Sequence, residues 1–340
     1  MDTVDISELD IHDDADVAAY LDLLRTANET DTPDNPMPCG IEKPSRLHNP
    51  RPHYTDLHFV VRGENGFRAY LGLSLPQRYN THLCMIDLVV HPDHRRRGIG
   101  RMLMEHAIDL ARSRQRSTLE ADAVGTVEGG VERSAAGWRF LDSQGFTCAL
   151  VSVNRRADLA MADVAAEERL HAETRAASVD YETIAWNTRL PEELYAPLAV
   201  LNSTFLEDVP LGDLNIEPEK FDADQMRLSD DLGIKAGLFL CGVVARPKGS
   251  EKIVATTVVG VATQPGDHAQ QFITMVDRNH RGHKLGLRIK LENHAQLRHL
   301  RPQVRYMNTD NAGSNAHMVA INDAVGYRPL DYLYEYQRAI

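Results

Sequence analysis

The stretch Cys84–Arg101 reads CMIDLVVHPDHRRRGIGR, and it decides the fold. An apolar run ends at Val90. A polar loop with Pro92 follows, then Arg95, Arg96 and Arg97, then glycines at 98 and 100. From Ile99 to Arg112 the residues Ile99, Met102, Leu103, Ala107 and Leu110 recur at the spacing of one helical face. The pattern predicts strand, loop and helix. Glycine lets the backbone approach a ligand closely and adopt positive φ. The first N–H groups of a helix lack internal partners and sit at the positive end of its dipole. Together these make an anion cradle that fits a pyrophosphate, with Arg95, Arg96, Arg97 and Arg101 adding charge at the rim. The loop is neither a Walker P-loop nor a dinucleotide fingerprint, because GxxxxGK[ST] and the third glycine are missing.

The plan recurs. Phe272–Leu287 reads FITMVDRNHRGHKLGL, and aligning it on the first stretch puts His94-Arg95 on His280-Arg281 and Gly100 on Gly286. Each loop is followed by helix, strand, helix, a stop at Gly145 or Gly326, and a last strand. Upstream, residues 15–27 read as an amphipathic helix and 58–75 as a hairpin turning at Glu64-Asn65-Gly66. In the second half, 192–201 reads as helix and 238–262 as a hairpin around Pro247-Lys248-Gly249-Ser250. Residues 157–177 read as a polar helix between the halves, and 28–54 as a long Pro/Asn/Asp-rich loop. The boundary falls near residue 175, giving domains 1–175 and 176–340.

Composition narrows the function. Of 340 residues, 43% are apolar and 25% charged, a globular balance, and the net charge is −12. So acidic a chain is a poor partner for nucleic acid or an anionic membrane and suits a cationic substrate. No apolar run is long enough to span a bilayer. The acidic N-terminus, MDTVDISELDIHDDAD, lacks signal-peptide features, which makes the cytoplasm the expected location. Cys39, Cys84, Cys148 and Cys241 are scattered and read as core thiols. His91/His94 and His280/His283 sit in cationic loops with no carboxylate or cysteine to complete a set, so no metal is expected.

On Val90, Pro92, Arg95, Arg96, Gly98 and Gly100, and on the helix-Gly-aromatic endings Gly145-Phe146 and Gly326-Tyr327, the sequence resembles the GNAT acetyltransferase superfamily. The resemblance covers nearly all of both halves, a tandem layout shared by some actinobacterial biosynthetic and resistance acetyltransferases. It implies an α/β fold of the α+β mixed-sheet kind. Each half would hold a mostly antiparallel sheet with a splayed central strand pair, flanked by helices. It implies acetyl-CoA as co-substrate, with the pyrophosphate on Arg95, Arg96, Arg97, Gly98, Ile99, Gly100 and Arg101. The pantetheine arm would lie along Leu88, Val89 and Val90, with an N–H of Val89 or Val90 on the thioester carbonyl. The second loop departs from the pattern: Lys284 stands where the first half has Gly98, and Gly282 has appeared two positions earlier. Its counterpart set is Met275, Val276, Arg281, Gly282, His283, Lys284 and Gly286. By resemblance Asn311 and Asn315 would hydrogen-bond the CoA arm; read locally, they cap a turn and a helix start.

Acetyl transfer to an amine needs a base. Asp87, inside the apolar run MIDLVV, and Glu120 on TLEADA are the candidates, with Asp122 behind Glu120. Alternation puts Asp87 and Val89 on one face of their strand. The tyrosine acid common in the family falls on Leu141 in the first half and Asn322 in the second. The expected reaction is acetylation of a primary amine on a small polar molecule, such as a specialised metabolite or antibiotic, by a monomer or homodimer. Acetylation of a protein or peptide, and acyl-CoA binding without turnover, are the alternatives.

Overall fold

The structure is a computed structural model and describes residues 5–340. In chain order its first elements are β1 (Ile6–Glu8), α1 (Asp14–Asp31), α2 (Glu42–His48), β2 (Tyr54–Gly63), β3 (Gly66–Pro76), β4 (Leu83–Val90), α3 (Ile99–Ser113), β5 (Thr118–Gly125), α4 (Ala136–Ser143) and β6 (Thr147–Asp158). Then come α5 (Val164–Ala177), β7 (Tyr181–Asn187), α6 (Tyr195–Asn202), α7 (Phe205–Asp208), α8 (Ala223–Lys235), β8 (Leu238–Pro247), β9 (Ala255–Ala262), β10 (His268–Val276), α9 (Leu285–Leu300), β11 (Tyr306–Ala312), α10 (Ala316–Ala324) and β12 (Arg328–Ala339). Two compact units result. The first holds the described residues through Ser152, with Gly212–Ile216 and Asp331–Ile340; the second holds Val153–Leu211 and Glu217–Leu330.

These units divide the chain elsewhere than at residue 175. Helix α5 lies in the second unit, and the last ten residues lie in the first. The physical reason is strand pairing: β12 runs antiparallel to β5, from Tyr332↔Gly125 to Ala339↔Thr118. Tyr336 from β12 is buried in the first unit's core beside Leu119, Leu141 and Phe146. Over 157–163 the expected continuous helix is broken: β6 extends to Asp158, a single 3-10 turn covers Leu159–Met161, and Asp163 caps α5. The segment 28–54 is not all loop: α1 reaches Asp31, and α2 forms over Glu42–His48.

In unit 1 the pleat sorts the side chains. Ala69, Leu71, Leu73 and Leu75 of β3 pack with Cys84 and Ile86 of β4 and with Ile99, Leu103, Met104 and Ala107 of α3. Val60 and Tyr70 face the other way and pack with Tyr20, Leu23 and Leu24 of α1. A helix therefore covers each face. Strands β4 and β5 pair in parallel only at Leu83↔Thr118, Cys84↔Leu119 and Met85↔Glu120. Beyond Met85, β4 stays on β3 through Val90, while β5 stays on β12. The two strands splay, leaving a gap beside residues 87–90. Unit 2, ordered β6-β11-β10-β9-β8-β7, repeats this. There β10 and β11 pair at His268↔Tyr306, Ala269↔Met307 and Gln270↔Asn308 and no further.

Because Tyr336 completes a core that lies far from it in sequence, Tyr336→Ala should destabilise unit 1 by about 3 kcal/mol. Denaturant unfolding followed on a unit 1 tryptophan, Trp138, would measure it.

Candidate active site

The loop after β4 forms as its residues require. Pro92–His94 is a single 3-10 turn with the His91 side chain accepting from Asp93 N–H. Arg96 and Gly98 then take positive φ, 62° and 87°, and α3 starts at Ile99. A Cβ at Gly98 would meet nothing within 4 Å, so the loop's concave side is open. The second loop has the same backbone, with φ of 87° at Gly282 and 54° at Lys284. The glycine has moved two positions, and Lys284 carries the strain instead.

The loop cations divide. Arg95 donates to both oxygens of Asp31 at 2.8 and 2.7 Å and to the carbonyl of Val90 at 3.1 Å. These bonds make it a brace for the loop. Arg96, Arg97 and Arg101 are exposed. In unit 2, Arg281 pairs with Asp208 at 3.0 Å and Lys284 with Glu173 at 3.5 Å. In both loops the arginine that follows the histidine, Arg95 or Arg281, is thus held by an aspartate from an upstream helix.

His91 N–H donates to Arg68 C=O. Alternation along the strand then turns the N–H groups of Leu88 and Val90 into the gap and that of Val89 toward β3. Of the expected pair, the N–H of Val90 and not that of Val89 faces the gap. In unit 2, Asp277 N–H donates to Val254 C=O, so Val276 faces the gap while Met275 faces β9 and its side chain is buried.

A pocket of about 260 Å³ opens on the α1 face of unit 1. Asp56 and His58 of β2, Tyr70 and Ser74 of β3, Asp87 of β4, and Glu120 and Asp122 of β5 line it, with Arg51 at its edge. One face of the pleat thus gathers both predicted bases and two further carboxylates. Asp87 is reached by solvent through the mouth, yet protein walls it closely. The lost hydration raises its pKa above the ordinary carboxylate range, against the opposing pull of Lys43 and His58. Glu120 accepts from the amide of Gln337 at 3.0 Å, so β12 orients it. Asp56 accepts from Ser74, and Arg51 donates to Ser74 at 2.9 Å. The segment between α1 and β2 is anchored over this face. Arg133, itself fully buried, holds Asp34 on one side and Asp331 at 2.7 Å on the other.

Unit 2 has a different character. A groove of about 270 Å³ runs between its loop and α10, lined by Val276, Arg281, Gly282, Lys284, Gly286 and Ile321 among others. The strand position matching Asp87 is Ile273, packed against the apolar cluster of Leu198, Leu201 and Met275. Asn315 caps α10, accepting from Met318 N–H at 3.1 Å. Asn311 is buried; its amide donates to Ala312 C=O, and its oxygen accepts from Asn322 at 2.9 Å. Asn311 thus spends both ends of its amide inside the protein, while Asn315 has its oxygen on the helix start and remains partly exposed. Asn322 in turn accepts from Lys290, whose pKa burial lowers to about 7. Leu141, in the matching place of unit 1, is a core residue. Among the described residues, no group of three or more His, Cys, Asp or Glu is placed to hold a metal, and no helix is long and apolar enough to cross a membrane.

Splayed strands and a glycine loop at a helix start make an anion-binding corner, with a carboxylate pocket beside it. Residues 21–129 match the model of the acetyltransferase (GNAT) family, so unit 1 carries a GNAT acetyltransferase domain. The whole chain has the tandem GNAT fold. It is similar to a tandem GNAT protein from the clavulanic acid biosynthesis pathway, with 27% identity, a TM-score of 0.83, and coverage of 99% of this chain and 98% of that one. A GCN5-related N-acetyltransferase from Sphaerobacter thermophilus shares the fold at 15% identity and a TM-score of 0.66, covering 100% and 96% of the two chains. Streptothricin acetyltransferase of Streptomyces lavendulae is 43% identical over 56 residues, 16% of this chain and 30% of that protein's length.

The buried Lys290 predicts a pH effect on stability. Its folded pKa lies below the ordinary 10.5, so between about 7 and 10.5 the unfolded chain binds more protons. Stability contributed at this site therefore rises with pH across that window. Lys290→Met should flatten the rise, as unfolding midpoints recorded across the window would register.

Proposed function

We propose that unit 1 transfers the acetyl group of acetyl-CoA to a primary amine on a small, polar, cationic molecule. The observation that carries this is the meeting, in one pocket, of Asp56, Asp87, Glu120 and Asp122 beside the gap-facing N–H groups of Leu88 and Val90. The lining holds more carboxylates than cations even with Lys43 acting on Asp87 beside Arg51, which favours an ammonium ligand. The anchored segment over the pocket, held through Asp31–Arg95 and Asp34–Arg133, favours a small acceptor over a protein chain. The names of the two relatives above, one a streptothricin acetyltransferase and one from the clavulanic acid biosynthesis pathway, support an acceptor among specialised metabolites.

In this reading the loop's open backbone and exposed Arg96, Arg97 and Arg101 hold the pyrophosphate of acetyl-CoA, which supplies an activated acetyl thioester. Arg95 keeps the loop in shape. The Val90 N–H polarises the carbonyl as negative charge develops on its oxygen. Asp87 draws in the acceptor's ammonium and lifts its proton; Glu120 and Asp122 bind the rest of the acceptor's positive charge. Unit 2 offers a donor groove but an apolar residue, Ile273, at the base position. Its role is to complete the protein rather than to turn over.

Mixing the protein with acetyl-CoA and streptothricin, lysine or cadaverine, and following thiol release, tests the proposal. Turnover is expected with at least one acceptor, and Asp87→Asn should lower it by about a hundredfold or more. Activity should rise with pH as Asp87 ionises, at a pH above the ordinary carboxylate range. Binding of acetyl-CoA with no thiol release from any of the three would favour a non-catalytic acyl-CoA-binding protein.

A further inference from the structure

Two polar side chains in the unit 1 pocket have no part in the account so far. His58 and Tyr70 stand on the same sheet face as Asp87, and His58 Nδ1 lies 2.8 Å from the Tyr70 hydroxyl. Tyr70 is held there on three sides. Its ring packs on Tyr20 of α1 with centroids 4.7 Å apart. Its hydroxyl folds over Gly72, where a Cβ would sit 2.6 Å from it. Gly72 is the cross-strand partner of Asp87. The missing side chain at 72 is what admits a tyrosine hydroxyl beside the base position. With Nδ1 committed to Tyr70, the other ring nitrogen, Nε2, has no protein partner among the described residues and opens to the pocket.

We propose that His58, oriented by Tyr70, is a second catalytic residue that takes the acceptor's proton on from Asp87. This rests on the acetyl-transfer reading. The amine arrives as an ammonium, and its first proton passes to Asp87 and on, through pocket water, to Nε2 of His58. The freed nitrogen pair forms the C–N bond to the thioester carbon as the C–S bond breaks. The second nitrogen proton neutralises the departing thiolate, and the imidazolium sheds its proton to pocket water. Tyr70 acts through His58: it accepts from Nδ1–H, which fixes the tautomer with a lone pair on Nε2.

The charged and titratable groups around the pair agree with this. Burial keeps the imidazole neutral by lowering its pKa, while Asp56 on its own strand and Asp87 across the sheet pull the other way and stabilise the imidazolium once formed. Burial raises Asp87. The two proton affinities thus move toward each other, which suits transfer between them. Tyr20 and Tyr70 stay protonated, since burial raises both. Lys43 acts on Asp87 from α2, and Arg51, Glu120 and Asp122 complete the wall.

Nitrogen NMR of the histidine rings in the full chain is the first test. His58 should be neutral near neutral pH with its proton on Nδ1, and Tyr70→Phe should mix the tautomers without unfolding the protein. Activity with the same three acceptors is the second. His58→Gln should lower kcat by about a hundredfold, leave KM for acetyl-CoA unchanged and displace the acid limb of the pH profile; Tyr70→Phe should move kcat the same way by less. A proton found on Nε2, or a His58→Gln enzyme with the unaltered rate and pH profile, would overturn the assignment and leave acetyl transfer standing. Absence of turnover by the unaltered protein would remove both.

Discussion

The structure turns on the parting of β4 from β5 after Met85. A paired strand has no free N–H to offer a ligand, and a closed sheet has no room for one. Once the strands splay, the N–H groups of Leu88 and Val90 face open space and Asp87 gains a mouth to solvent. The same parting lets the chain after β4 turn into a loop whose helix begins at the gap. Donor site and acceptor pocket are thus two consequences of one break in pairing. Unit 2 makes the same break between β10 and β11, yet places Ile273 where unit 1 has Asp87.

Charge then holds what the splay opens. Arg95 with Asp31 and Arg281 with Asp208 each tie a loop to an upstream helix. The first pair is bidentate, directional as well as attractive, which is what a loop with few backbone bonds needs. Arg133 goes further. With no exposed side-chain surface, it joins Asp34 of the covering segment to Asp331 of the last strand. Removing one partner would leave a buried charge uncompensated, a cost of about 3–5 kcal/mol. The covering segment and the last strand are therefore linked through one guanidinium.

Much of this was legible in residues. The apolar run ending at Val90, the glycines and the spacing Ile99–Met102–Leu103–Ala107 predict the loop and α3, and both stand where expected. The repeat predicts a second unit of the same plan. Alternation puts Asp87 opposite Leu88 and Val90, as it is. Other features depend on partners far away in sequence. YLYEYQRA reads as a strand, but nothing local says that it pairs with β5. Arg95 reads as a phosphate ligand, and nothing local says that α1 brings Asp31 to it. Asn315 caps a helix start as its local reading expects, whereas Asn311 caps no turn: it lies in β11, and its buried amide meets Asn322. His58 and Tyr70 alternate correctly within HFVVRGENGFRAYLGLSL, yet only the register of β2 on β3 brings them together. The swap of glycine and side chain between Arg96–Gly98 and Gly282–Lys284 preserves the same backbone, which letter-by-letter comparison conceals.

The central claim is that the first unit, not the second, performs transfer. Gly98 and Gly282 offer a matched pair for testing it, since both have φ of 87° and both face open space. The two glycines stand two positions apart when the loops are aligned, and a tryptophan at either strains its own loop. Thiol release from acetyl-CoA, measured beside calorimetric titration of acetyl-CoA, should be lost in Gly98→Trp and retained in Gly282→Trp. Loss in Gly282→Trp with retention in Gly98→Trp would contradict the account and move the chemistry to the second unit.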